Sequence, residues 1–555
     1  MRPGSIVKAA LRLDLTWILV LLLAVPAIAP LTYPGFFQTH GGFLPALNAA
    51  HPAEAPDWGR AADPVRGEGK LPYLLAWPFF WLSGSGVTAV KWGYGLAFLL
   101  AAASVYLWMR RRLGSKGGLL AAAVYTYLPW HLSAVYVRGA YAEAWLWALW
   151  PLVLWAMGAL AGRRWWAGAL VGVLALGATF WTQAGLAALF ALGILIALSV
   201  VFAVGVLIAL TTPLGSLRWI LALGSIALLV LAVAILYLGT LSPQPRVNFA
   251  DHFVYPFQLL SATWGFGISV PGWADGLSFQ LGLAAVGLSV IAVILQVAHK
   301  PEEAAADATA AGVSGETRRT ERGWASWGGA FWAWVGVLAA IVLLILPPAA
   351  PLWRVTGLDR LLTYPWQLLA LAGLPLAFLA GSAIRLDRRL GELLAWAGLA
   401  ALVVLAGYPY LAPSFTRVDP GAQPLGMVQP VRAAVPQILL LDAQVAPPTE
   451  ITPTLTVTLT WQAIEPVSGD YTVFVHLLAP DGTKVAQHDA RPCDGACPTN
   501  TWQPGAIILD RHTLDLGDGV PPGAYRLAIG LYLLDSGKRA AIAGRDDGTV
   551  FINVP

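Results

Sequence analysis

Two hydrophobic patterns divide the chain. Long unbroken apolar runs fill the first 410 residues, and short alternating runs fill the remainder. A helix that crosses a bilayer needs about 20 apolar residues. Eleven stretches meet that description, near 14–33, 87–108, 117–133, 144–162, 166–183, 185–211, 219–240, 276–297, 325–346, 366–384 and 391–409. Little polar sequence separates the two stretches between 166 and 211. Leu71–Leu82 is too short and too rich in proline to span, and reads as an interfacial or re-entrant helix. The first stretch lacks a clear small-residue cleavage site, so it is expected to remain as a span rather than leave as a signal peptide. Lys300–Arg322 is Ala, Glu, Thr and Gly with scattered charge, the composition of a flexible loop.

After Pro413 the period changes to two. Leu455-Thr-Val-Thr-Leu-Thr-Trp461 and Tyr471-Thr-Val-Phe-Val-His-Leu-Leu478 alternate, punctuated by the turns Pro480-Asp-Gly482, Gly517-Asp-Gly519 and Pro521-Pro-Gly523. This pattern predicts a β-sandwich. The expected fold is therefore mainly α: a polytopic bundle of about eleven spans over 1–412, followed by a β-sandwich over 413–555. Four outer loops are expected at 34–86, 131–143, 241–275 and 347–365.

Composition agrees with a membrane protein. Hydrophobic residues make up 57% and charged residues 12%, roughly half the charged share of a soluble domain. That excludes both an ordinary soluble enzyme and a disordered chain. The 26 tryptophans suit repeated membrane–water boundaries. With the N-terminus placed inside, inner segments hold 17 Lys and Arg and outer loops before residue 410 hold 7. That asymmetry sets the orientation by the positive-inside rule, and an odd span count then puts the C-terminal domain outside. No basic stripe marks a nucleic-acid surface. Cys493 and Cys497, in Cys-Asp-Gly-Ala-Cys, are expected to close a small disulfide loop outside the membrane; two cysteines alone make no zinc site.

Candidate chemistry gathers in the outer loops. In the second loop, Arg138 and Glu143 lie beside Tyr136 and Tyr141 at a membrane boundary. Arginine there grips a phosphate and glutamate acts as base or metal ligand, or the two form an ion pair that fixes the loop. In the third loop, Asp251 and His252 offer oxygen and nitrogen to a divalent cation, or one of them caps a helix. Trp264 and its Gly-rich neighbours form either a floor for a sugar or lipid chain or part of an interfacial belt. In the fourth loop, Arg354 and Arg360 hold a phosphate head group or snorkel to the helix mouth. His40, in the first loop, has an imidazole suited to proton transfer near neutral pH. The chain contains no P-loop and no HExxH, and no GxSxG sits in a strand–turn–helix context.

Three stretches carry a resemblance: Tyr136-Val-Arg-Gly-Ala-Tyr-Ala-Glu143, His252 through Gly282, and Leu361-Leu-Thr-Tyr-Pro-Trp-Gln-Leu-Leu369. With them the chain resembles the GT-C superfamily of integral-membrane glycosyltransferases, in the branch of dolichyl-phosphate-mannose and lipid-A arabinose transferases. It is similar, more closely, to bacterial multi-pass proteins labelled "6-pyruvoyl-tetrahydropterin synthase related". The run Trp461, Tyr471–Leu478, Trp502-Gln-Pro-Gly505 and Pro522–Leu527 looks like a sandwich appended to such transferases. The resemblance implies a polyprenyl-phosphate sugar as donor and a cell-surface glycan or glycoprotein as acceptor. It also implies an acid in the first loop that activates the acceptor or binds a metal. The matching position, Phe37-Gln-Thr-His-Gly-Gly42, has His40 and two glycines instead. Glu143 and His40 are then the catalytic candidates, and Arg138 or Arg354 the phosphate holder. Tyr136, Tyr141, Asp251, His252, Trp264 and Arg360 are further substrate-binding candidates. The alternative is a catalytically inactive scaffold or glycan-binding protein.

Overall fold

A computed structural model gives the three-dimensional arrangement. It describes residues 15–53, 63, 65–160, 162, 165–211, 224, 231, 233–235, 237, 240, 247–261, 265–298, 316–416, 424–431, 433, 436–446, 454–517, 523–542 and 547–554. Among these residues, six helices are long and apolar enough to cross a membrane. They cover 86–126, 141–160, 165–182, 327–344, 365–386 and 393–410, and Thr16–Thr32, Ala184–Val200 and Leu283–Ala298 are shorter apolar helices. The apolar stretch at 219–240 falls mostly outside the described residues, as do 301–315 of the expected flexible segment. Residues 316–322, also expected to be flexible, instead begin the helix Glu316–Leu344.

The first of the six is a hairpin. Gly114 leaves the helical region at φ 73°, ψ 176°, and an added side chain on Gly118 would lie 3.1 Å from the backbone nitrogen of Arg110. The chain has thus reversed between 110 and 118, which is why the sequence shows two apolar stretches there. Another interruption, at Gln183, separates Trp165–Thr182 from Ala184–Thr211. The carbonyl of Thr182 accepts from Gly69 N–H at 2.7 Å, and Gly185 N–H donates to Val65 O at 2.7 Å. The first loop therefore supplies the backbone partners that the broken helix lacks.

Helices differ in what they face. Pro365–Leu386 is almost wholly buried, whereas Trp165–Thr182, Trp327–Leu344 and Leu393–Tyr410 bury little. Leu394, Val173 and Leu402 are exposed on those outer helices. Apolar surface on this scale matches contact with lipid tails.

The C-terminal part is all β. A short pair, β1 (Phe36–Phe37) with β2 (Phe415–Thr416), ties the first loop to the entry of this part. The other strands are β3 (Gly426–Gln429), β4 (Ile438–Ala446), β5 (Thr454–Ala463), β6 (Tyr471–Leu478), β7 (Lys484–Ala490), β8 (Ile507–Asp515), β9 (Arg526–Leu533), β10 (Ala541–Ile542) and β11 (Val550–Asn553). They form a five-stranded sheet in the order β10-β3-β4-β5-β8 and a four-stranded sheet in the order β11-β9-β6-β7. Every pairing is antiparallel. Leu455, Val457, Leu459 and Trp461 of β5 share one buried cluster with Val473, Val475, Leu527 and Ile529 of the other sheet. Alternation at period two places all four β5 side chains on one face. Cys493 and Cys497 are disulfide-bonded in the loop between β7 and β8.

Candidate functional site

The site is built on a sharp turn. Helix Pro129–Ser133 runs into a single wide turn, Ala134–Arg138, and Gly139 then adopts φ 67° before helix Tyr141–Leu160 starts. A side chain at 139 would press within 2.8 Å of the Thr39 Cβ, so glycine is needed both for the turn and for the close approach of the first loop. His40 N–H donates to Val137 O at 3.0 Å and Gly41 N–H to Arg138 O at 3.1 Å. These bonds lay the His40 turn directly on the Arg138 turn. The expected open loop at 131–143 is therefore a buried helical turn, because its backbone groups are satisfied inside the fold.

Arg138 and Glu143 form a buried ion pair. Their Nη2 and Oε2 lie 2.8 Å apart, with side chains 10% and 2% exposed. Glu143 Oε1 accepts from Trp130 Nε1–H at 3.1 Å. The guanidinium carbon sits 5.0 Å from the centre of the Trp130 ring and 4.8 Å from that of Trp366. Arg138 is thus held by a carboxylate and two indole faces, a desolvated cation–π arrangement. Its Nη1 is buried with no hydrogen-bond partner among the described residues.

The third and fourth loops close around this arginine. Trp366 donates from Nε1 to Ser269 Oγ at 3.1 Å, which in turn donates to Asp275 Oδ1 at 2.8 Å. Asp275 also accepts from Val270 N–H at 3.0 Å and from Gln258 Nε2 at 3.1 Å. His252 Nδ1 lies 3.0 Å from Ser269 Oγ. With the single hydroxyl proton given to Asp275, His252 must donate here, so it cannot take a proton from Ser269. A Ser, His and Asp lie together, but not in the order of a hydrolytic triad. Gln367 accepts from the backbone of Thr363 and Tyr364, which fixes the turn that presents Trp366.

His40 closes the first-loop side. Its Nε2 is 3.0 Å from Phe266 O, so Nε2 carries the proton and Nδ1 the lone pair. Burial holds its pKa below the ordinary 6.5, the Phe266 carbonyl opposes that shift, and the nearby Arg138 charge adds to the lowering. Burial also lowers the pKa of His252, opposed by Asp275 and Asp251.

The remaining expected residues that the structure describes lie apart from this cluster. Tyr136 and Tyr141, expected at a substrate surface, are core side chains. The Tyr136 hydroxyl donates to Ala27 O at 2.5 Å, and the Tyr141 ring packs against those of Tyr73 and Tyr94. Flanking Arg138 in sequence does not make them its neighbours, because the wide turn swings them into the bundle. Asp251 is exposed while His252 points inward, so this pair does not converge on a cation. Their adjacency on the short turn Phe249–His252 forces them apart, and Asn248 provides the cap instead. Arg354 and Arg360 are exposed on the fourth loop and form no ion pair among the described residues. Trp264 lies outside the described residues. No group of three or more His, Cys, Asp or Glu among them is arranged to hold a metal.

Sequence reasoning missed several members. Trp366, Ser269 and Asp275 stood in quoted segments and Trp130 just before the second outer loop, yet nothing local marked them as members of the cluster around Arg138. Glu68 was also missed: it accepts from Ala142 N–H at 3.3 Å, at the start of helix Tyr141–Leu160, and from the Tyr73 hydroxyl. A carboxylate at a helix N-terminus is favoured by the backbone dipole.

The helical part also holds an apolar groove of about 400 Å³, which no member of the cluster lines. Leu71, Trp145 and Thr182 line one part of it and Leu100, Leu107 and Trp17 another. Trp145 lies two positions beyond Glu143 on the same helix, so the two side chains point to different faces. No known protein family, curated protein or solved structure matches this chain.

Proposed function

We propose that this chain is a membrane glycosyltransferase that moves a sugar from a polyprenyl-phosphate donor to a hydroxyl of an extracytoplasmic glycan or glycoprotein. The observation that carries the reading is the buried Nη1 of Arg138, which has no hydrogen-bond partner among the described residues. It is a charged donor held in an aromatic cleft and already desolvated, which favours an anionic oxygen such as a phosphate. The apolar groove lined by Trp17, Leu71, Leu100 and Trp145 offers the kind of surface that a prenyl chain takes. In this reading about eleven spans form a GT-C-like bundle, the N-terminus is cytoplasmic, and the C-terminal domain is a β-sandwich on the outer face.

The chemistry follows from the protonation pattern. His40 is neutral at pH 7 and its Nδ1 is the available base. As the acceptor oxygen bonds to the anomeric carbon, the bond from that carbon to the phosphate breaks, and the acceptor proton passes to Nδ1. The negative charge left on the phosphate falls to Arg138. Glu143, with both oxygens engaged, acts as a positioning residue that orients the guanidinium rather than as the base.

One observation favours the second reading, a glycan-binding scaffold without activity. Glu143 and Glu68, the acids nearest the turn, are both engaged by internal partners. Purified protein in detergent, given labelled polyprenyl-phosphate sugars and cell-envelope glycans, separates the two. Transfer that is lost in Arg138→Gln and in His40→Asn supports the transferase. Glycan binding without any transfer across the donor series supports the scaffold.

A further inference from the structure

At the end of the bundle away from Arg138, another pocket, of about 280 Å³, opens between three helices. Trp108 and Arg112 line it from the first arm of the 86–126 hairpin, Leu154, Met157 and Gly158 from helix Tyr141–Leu160, and Trp334 from helix Glu316–Leu344. Met157 is fourteen residues, about 21 Å, along its helix from Glu143, so this pocket and the Arg138 site are separate. The rings of Trp108 and Trp334 meet edge to face at 5.3 Å and form an apolar wall. Arg112 stands one helical turn beyond Trp108, just before the reversal at Gly114. The neighbouring guanidinium, that of Arg111, lies 5.0 Å from the centre of the Trp155 ring. Arg385 donates from Nη1 to the Arg112 carbonyl and so fixes this turn.

Charge and position together define what fits. The stretches 104–118, 150–160 and 324–344, which supply the lining, contain no Asp or Glu. Neither Arg111 nor Arg112 forms an ion pair among the described residues. The mouth of the pocket therefore attracts an anion. Its walls, however, belong to apolar helices. Trp334 lies seven residues, about 10 Å, inside the apolar window that starts at Trp327, and that window is mostly unburied. A Cβ added at Gly158 meets nothing within 4 Å, so the pocket is open on that side. A water-borne anion satisfies Arg112 and leaves the tryptophan wall bare. A plain hydrocarbon covers the wall and leaves the arginines without a counter-charge. A phosphate carried on an apolar chain answers both, and basic pockets between membrane helices take such head groups.

We propose that this pocket binds an anionic phospholipid of the bilayer, with the phosphate on Arg112 and Arg111 and the start of one acyl chain against Trp108 and Trp334. A volume of about 280 Å³ takes only part of such a molecule, so the rest stays among the surrounding lipids. Seated between helices from three parts of the chain, the lipid acts as a wedge that holds them together at this end. The inference is independent of the transferase reading.

Native mass spectrometry of the purified full-length protein in detergent, titrated with phosphatidylglycerol or with phosphatidylcholine, tests it. One phosphatidylglycerol per chain is expected to stay bound under conditions that strip phosphatidylcholine. Arg112→Gln is expected to weaken that binding about fivefold, the share of one arginine near a membrane surface. Gly158→Leu, whose side chain starts in open space at the pocket, is expected to remove the bound lipid while the melting curve in lipid-free detergent stays unchanged. Arg388→Gln is the control: Arg388 is exposed on the turn Arg388–Gly391, which Lys116 reaches at the same end, and it does not line the pocket. Phosphatidylcholine held as well as phosphatidylglycerol, Gly158→Leu binding like the wild type, or Arg388→Gln losing as much as Arg112→Gln would overturn the site. Displacement of the lipid by inorganic phosphate would overturn it too, as the mark of a site for a free anion.

Discussion

Replacing Glu143 by glutamine tests the centre of the site directly. The carboxylate and the guanidinium are 2% and 10% exposed, so neither recovers much solvation when its partner is lost. Glutamine keeps the shape but has one carbonyl where the carboxylate has two oxygens. Two donors face it, Trp130 Nε1–H and Arg138 Nη2–H. One is satisfied and the other meets an amide NH2. A stranded buried donor costs about 1–3 kcal/mol, and breaking one side of a buried ion pair costs about 3–5 kcal/mol. The rings of Trp130 and Trp366 remain beside the cation and soften the loss by about 0.5–2 kcal/mol. Glu143→Gln is therefore expected to destabilise the protein by about 3 kcal/mol. Arg138→Met with Glu143→Gln should cost less than the two single changes added, because no unpaired charge is left behind. Unfolding in mixed detergent micelles, followed by tryptophan fluorescence for all four members of the double-mutant cycle, gives the coupling energy. A coupling within about 0.5 kcal/mol of zero would refute the buried pair.

Three other expectations come from the same structure. Gly505 has φ 80°, and a side chain there would lie 2.5 Å from the His40 carbonyl carbon. Gly505→Ala should therefore cost about 1–3 kcal/mol and expose the junction between the β part and the first loop to proteolysis; unchanged proteolysis would count against that junction. Gln462 is fully buried, accepts from Phe43 N–H at 2.9 Å and donates to Gly41 O at 3.3 Å. Gln462→Leu strands the Phe43 N–H, while Gly41 O keeps its bond from Leu44 N–H at 3.1 Å, and should lower stability by about 1–3 kcal/mol, measured by thermal unfolding. His40 has a pKa below 6.5 when folded. The unfolded chain therefore binds the proton first as pH falls, and stability conferred by neutral His40 is present above pH 6.5 and lost below it. Between pH 7 and pH 5 the wild type should lose more stability than His40→Asn. Equal slopes would show that His40 is not buried as described; His252 and His476, shifted in the same direction, contribute to the slope that remains.

The long apolar helices were legible because hydropathy is a local property: a run long enough to cross a bilayer announces itself without reference to any partner. Alternation at period two announced β5 and β6 for the same reason. Arg138, Glu143 and His40 were also legible, since charge or imidazole beside apolar helices is costly and needs an explanation. Their convergence was not. It depends on the wide turn at 134–138, on Gly139 in a left-handed conformation and on two backbone hydrogen bonds to the first loop. Tyr136 and Tyr141 show the limit most clearly. Next to Arg138 in sequence, they are turned into the bundle, while Trp366, more than two hundred residues away, lies 4.8 Å from its guanidinium.

From the sequence alone came an apolar helical part with helices long enough to cross a membrane, a β part after residue 413, and a short set of charged side chains beside the apolar helices. Which of those charges meet, and which neighbours satisfy them, was decided by tertiary structure. An ion pair or a cation–π contact depends on distance between residues far apart in the chain, and no local pattern encodes that distance.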